Sequence, residues 1–180
     1  MTRVLLDACV LYPTVMREVL LACAATSLFE PYWSPRIIAE WTRATAKLGP
    51  AAQVLAEGEA AALAIRFPSA SVSPPAGAEL RLWLPDPADV HVLAAAIAAH
   101  ADMILTLNAV DFPRNLLAEQ GLTRSDPDTF LMDLRDRHPG AVDAAVAQVV
   151  AEACRLSGQD WTARSLLKKA RLYRMARVSG

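Results

Sequence analysis

The chain has 180 residues, a formal net charge of -1, and 54% hydrophobic against 6% aromatic residues. That length suits one domain, or one domain with an extension, able to bury a sizeable core. The near-neutral charge excludes nucleic-acid binding by bulk electrostatics, so any such contact must come from a local patch. Cys9, Cys23 and Cys154 are widely spaced and form no C-x-x-C pair, which argues against a zinc site or a disulfide framework. No apolar run is long enough to span a bilayer, and Asp7 comes too early for a secretory signal, so a cytoplasmic protein with no membrane partner is expected.

Taken in chain order, residues 2–6 (TRVLL) predict a short buried strand that ends at Asp7. Residues 11–26 have helical apolar spacing with Pro13 near the start. The stretch SPRIIAEWTRATAKLG predicts a cleaner helix, with Ser34 as N-cap, Pro35 at the first helical position and Gly49 past the end. PAAQVLAEGEAAALAIRF continues as another helix, and the turn-rich SASVSPPAG leaves room for a short strand at residues 70–72. A helix opens in LPDPADVHVLAAAIAAHA, and MILTLN at residues 103–108 forms the second clear strand, followed by the loop AVDFPRN. From Ser125 the texture is helical only, closing with WTARSLLKKARLYRMARV as one amphipathic helix. Trp83 and Trp161 look like packing anchors. Strand alternating with helix predicts an α/β architecture with a parallel sheet.

Ligands of such a sheet sit outside the carboxyl ends of its strands, where strand order switches. Asp7 follows the first strand, Asn108 and Asp111 follow the second, Asp89 stands at a helix start, and Glu40 lies on the helix held by Ile37, Ile38 and Trp41. Four carboxylates gathered on one mouth repel one another, and a divalent cation removes that conflict. Oxygen ligands without cysteine or histidine suit Mg²⁺ or Mn²⁺, which in turn suits phosphoryl chemistry. The bland reading of each acid is also available: Asp7 as a turn acid, Glu40 as a solvated helix residue, Asp89 as a helix cap. Asp86 competes with Asp89 for the same place. His91 reads as a packed or surface residue, and Thr106 and Asn108 as phosphate or water ligands or simple strand-end hydrogen bonders. A phosphatase with Asp7 as nucleophile fits poorly, because Cys9 stands where that pattern has a second acid.

The segments LLDACVLYP, SPRIIAEW and DPADVHVLAAAIAAHADMILTLNAVDFP together resemble the PIN-domain family, which includes VapC-type toxin ribonucleases. The resemblance implies a three-layer α/β/α fold round a short central parallel sheet over residues 1–124, with residues 125–180 as a C-terminal helical extension. It implies an Mg²⁺- or Mn²⁺-dependent endoribonuclease with catalytic residues Asp7, Glu40, Asp89 and Asp111, of which Asp7, Asp89 and Asp111 would hold metal. Asn108, Thr106 and Asp86 are secondary candidates. Cys9 stands where the family commonly has a polar residue, and its thiol is expected to lose a hydrogen bond near the first acid. Arg17, Arg36, Arg43, Lys168, Lys169 and Arg171 are candidate RNA-phosphate contacts. The partners implied are RNA, a small antitoxin protein and a second copy in a homodimer. The alternative is a catalytically weak or inactive PIN-like module that binds RNA or a partner protein.

Overall fold

The computed structural model describes residues 1–179. The chain divides into two compact units, one of Thr2–Tyr12 with Glu30–Ser125, the other of Pro13–Phe29 with Met1 and the chain from Asp126 onward.

The first unit is built on a four-stranded sheet of order β2-β1-β3-β4, with β1 at Arg3–Leu6, β2 at Glu30–Tyr32, β3 at Met103–Leu105 and β4 at Thr123–Ser125. Every pairing is parallel, with Leu6 opposite Leu105 and Leu105 opposite Ser125. Val4, Leu5 and Leu6 are all fully buried, as a central parallel strand covered on both faces requires. β1 is followed by the short helix α1 (Ala8–Leu11), and the helix expected over residues 11–26 is α2 (Thr14–Ala25), which starts just after Pro13. Tyr12 keeps helical angles, and the break falls at Pro13, which is extended at ψ 113° and has no N–H to continue the helix.

Helix α3 (Pro35–Thr45) begins as the sequence dictates: the Ser34 hydroxyl accepts a hydrogen bond from the Ile37 amide at 3.2 Å, and Pro35 takes the first helical position. Its buried stripe is Ile37, Trp41 and Thr45, and it packs against α4 (Pro50–Arg66). Residues 70–72 give no strand, only a single parallel bridge from Ser71 to Trp33. Helix α5 (Val90–Ala98) is buried from Val90 to Ala96, as a helix apolar but for His91 and lying on a sheet must be. It packs against β1 and β3. Helix α6 (Arg114–Glu119) leads to β4.

The second unit contains α2 (Thr14–Ala25), α7 (Pro127–Arg137), α8 (Pro139–Ser157), α9 (Ala163–Lys169) and α10 (Tyr173–Val178). Asp126 caps α7 by accepting from the Thr129 amide at 2.9 Å, and Phe29 meets Phe130 edge-on with ring centroids 5.1 Å apart. Arg135 grips Asp143 in a two-pronged pair at 2.6 and 3.0 Å, fastening α7 to α8. The single terminal helix expected from the sequence is two helices, broken at Arg171 with φ 62°. The Asp128 carboxylate accepts from the Arg174 and Met175 amides at 2.7 and 3.1 Å and so starts α10. Among the described residues no helix is long and apolar enough to cross a membrane.

Candidate metal centre

In the order β2-β1-β3-β4 the chain leaves β1 toward β2 on one side and leaves β3 toward β4 on the other, so the switch in strand order falls between β1 and β3. Asp7 and Thr106 are the residues that leave those two strands. Their register puts them side by side, and the Asp7 amide donates to the Leu105 carbonyl at 3.1 Å. The buried Thr106 hydroxyl donates to Asp7 Oδ2 at 2.7 Å and accepts from the Asn108 amide at 3.0 Å. Cys9 Sγ donates to the same Oδ2 at 3.1 Å and accepts from the Leu107 amide at 3.2 Å. Cys9 therefore keeps a hydrogen bond to the first acid, which corrects the expectation that the thiol loses it. Burial and the neighbouring Asp7 charge push its own pKa up to about 12, so it stays a neutral thiol.

The loop before α5 supplies the next two acids. Asp86 Oδ1 accepts from the Ala88 amide at 2.8 Å and caps the short turn Pro87–Asp89. Asp89 occupies the N-cap position of α5 without a side-chain capping bond. The capping role read for Asp89 therefore belongs to Asp86, and the Asp89 carboxylate is turned to other partners. Asn108 Nδ2 donates to Asp89 Oδ2 at 3.2 Å and to Asp111 Oδ2 at 2.5 Å, so Asn108 bridges two acids as a donor.

One carboxylate oxygen from each of Asp86, Asp89 and Asp111 lies within 4.8 Å of the other two. Burial pushes the Asp89 carboxyl up to about 6, and the charges of Asp7, Asp86, Asp111 and Glu40 push it the same way. The structure thus brings Asp86, Asp89 and Asp111 into one cluster, with Asp7 and Glu40 close enough to act on it electrostatically. Asp7 is not one of the three clustered acids, and Asp86 is. Spacing alone does not say which acid of DPAD caps the turn, and so leaves Asp86 behind Asp89 as a ligand candidate.

The family profile of the PIN domain matches residues 2–109. The chain belongs to the PIN domain family. This settles the fold class expected above, an α/β fold of the PIN type with a short central parallel sheet. The profile spans Asp7, Glu40, Asp86, Asp89, Thr106 and Asn108 and stops two residues before Asp111. A stretch of 62 residues, 34% of this chain, is 37% identical to a Mycobacterium tuberculosis protein named "Putative ribonuclease VapC50". The match spans only 37% of that relative's length. No solved structure matches this PIN domain significantly.

Other expected site residues are placed differently. Glu40, half-buried on α3, pairs with Arg36 Nε at 3.3 Å and lies 3.0 Å from His91 Nε2. Arg36, a candidate RNA contact, is half-exposed and also reaches Glu79 and the Ala88 carbonyl, each at 3.5 Å, which fastens α3 to the loop carrying the acids. Arg17 is 1% exposed and lies 3.4 Å from Glu18, so its guanidinium does not face solvent as an RNA contact would need. Arg43, Lys168, Lys169 and Arg171 are exposed, with Lys169 over the Trp161 ring at 4.7 Å. Trp83 is 67% exposed and is no packing anchor.

Proposed function

We propose that this PIN domain is a divalent-cation-dependent endoribonuclease that hydrolyses RNA phosphodiesters with the acids gathered at the β1/β3 switch. The observation that carries the reading is the acid cluster: three carboxylates mutually within 4.8 Å, one of them, Asp89, raised to about 6 by burial and like charge. Such repulsion is relieved by a cation, and a donor set of carboxylate oxygens suits Mg²⁺ or Mn²⁺. Asp89 and Asp111 would hold it with Asp7, and Asp86 joins them through the oxygen not used for capping. When bound, the ion supplies Lewis-acid polarisation of a phosphate and activation of water.

The chain's own groups prepare the site. Thr106 and Cys9 fix Asp7 Oδ2 through two hydrogen bonds, leaving Oδ1 for a ligand. Asn108 holds Asp89 and Asp111 together as a neutral bridge, offsetting part of their repulsion. Glu40 completes the acidic pocket. Exposed Arg43, Lys168, Lys169 and Arg171 are the cations offered to RNA phosphates.

By likeness to the VapC-named relative, we further read the protein as the toxin of a type II toxin–antitoxin pair, silenced by a small antitoxin protein and acting as a homodimer. Residues 1–124 would form the nuclease domain and residues 125–180 its helical extension. The alternative, a non-catalytic module binding RNA or protein, draws on Cys9 and Asn108, of which Cys9 is bonded to Asp7 and Asn108 bridges two acids of the cluster.

The test is cleavage of single-stranded RNA by purified protein with Mn²⁺ or with chelator, beside Asp7→Asn and Asp89→Asn. Metal-dependent cleavage lost in both variants is expected. Equal cleavage by all three proteins indicates a contaminating nuclease and removes the reading.

A further inference from the structure

His91 is 3% exposed, and neither ring nitrogen has a hydrogen-bond partner among the described residues. A buried polar ring without partners is costly and calls for a reason. Its Nε2 lies 3.0 Å from Glu40 Oε1, close enough for a bond but not aligned for one. Asp89 stands two residues before His91 at the same helix start, so whatever His91 holds is referenced to the acid cluster.

Glu40 needs such a hold. It sits in the middle of α3, half-exposed, with three rotatable bonds, and its partner Arg36 is itself half-exposed. An exposed i,i+4 pair is worth only about 0.3–0.5 kcal/mol, and the order Arg before Glu is the weaker one. Arg36 also divides its guanidinium among Glu40, Glu79 and the Ala88 carbonyl. The rigid, buried imidazole is the group able to select one Glu40 rotamer.

We propose that His91 is a positioning residue that restrains the Glu40 carboxylate by the close approach of its Nε2, 3.0 Å from Glu40 Oε1 and within reach of a bond once the two align, with Arg36 bracing Glu40 from the exposed side. The inference rests on the ribonuclease reading above and deepens it. His91 acts through Glu40 and touches no substrate. Loss of a side chain that orients a site acid typically costs about 10- to 100-fold in metal affinity or activity.

The experiment is a double-mutant cycle on the full chain with Glu40→Gln, His91→Leu, His91→Gln and the double variant Glu40→Gln/His91→Leu. Mn²⁺ affinity is read by calorimetry, and RNA cleavage as separate kcat and KM, with a melting curve for each protein. His91→Leu should weaken Mn²⁺ binding and lower kcat, each by about tenfold or more, with KM little changed. His91→Gln, whose amide reaches the place of Nε2, should restore most of the loss. In the Glu40→Gln background, His91→Leu should add nothing further, the signature of residues acting as one unit. Losses that multiply overturn the proposal, as does a His91→Gln variant as impaired as His91→Leu, or a Glu40→Gln variant equal to wild type. If His91→Leu does not fold, His91→Gln and Glu40→Gln decide: a folded His91→Gln retaining activity while Glu40→Gln loses it supports the proposal. A wild type that neither binds Mn²⁺ nor cleaves RNA removes the nuclease reading itself, a different result from a wild type that cleaves with independent losses.

Discussion

At the scale of single residues, the account turns on how each carboxylate is held. Thr106 supplies the shorter of the two bonds to buried Asp7. Thr106→Val keeps the shape and deletes the donor, so it should cost about 1–3 kcal/mol in denaturant unfolding. Cys9→Ser preserves a donor and should leave cleavage close to wild type, whereas Cys9→Ala should impair it. Asp89 gives the pH dependence. Its carboxyl is raised from an ordinary 3.8 to about 6, so between those values the folded protein keeps a proton that the unfolded chain has released. Stability of the metal-free protein should therefore fall as pH rises through that window, and Asp89→Asn should flatten the fall in melting temperature. Protons compete with a cation for the same carboxylate, so apparent Mn²⁺ affinity should rise with pH up to about 6. Of the acids picked out by their order along the chain, Asp89 and Asp111 fall in the mutual cluster, while Asp7 and Glu40 lie outside it. Asp86 was harder to rank, because ligand and cap differ only in which carboxylate meets the Ala88 amide.

At the scale of elements, the parts with strong chemical punctuation were readable and the short ones were not. Ser34 and Pro35 open α3 as the sequence indicated, but α3 ends at Thr45 and Gly49 instead closes the 3₁₀ turn Ala46–Leu48. Strands β2 and β4 are three residues each, Glu-Pro-Tyr and Thr-Arg-Ser, too short and too polar to show an alternation. The terminal helix breaks at Arg171, a non-glycine residue in the left-handed region, where no side-chain signal announces it. Ser34→Ala removes the cap of the helix that carries Glu40. It should cost about 0.5–2 kcal/mol in stability, read by thermal unfolding. Asp128→Ala deletes the acceptor for the first amides of α10 and should loosen that helix by about 1 kcal/mol, seen as faster amide exchange at Arg174 and Met175.

At the scale of the whole molecule, the β1/β3 switch is where an open parallel sheet takes its ligand, and Asp7 and Thr106 leave the two strands there. The chemistry proposed for the acids depends on one property, capture of a hard divalent cation by carboxylates that otherwise repel. Calorimetric titration of the metal-free protein with Mn²⁺, beside Asp89→Asn and Asp111→Asn, measures it directly. Wild type should bind with micromolar-to-millimolar affinity and release protons near pH 6, and each variant should bind at least about tenfold more weakly. No binding by wild type at millimolar Mn²⁺, or binding unchanged in both variants, would contradict the account.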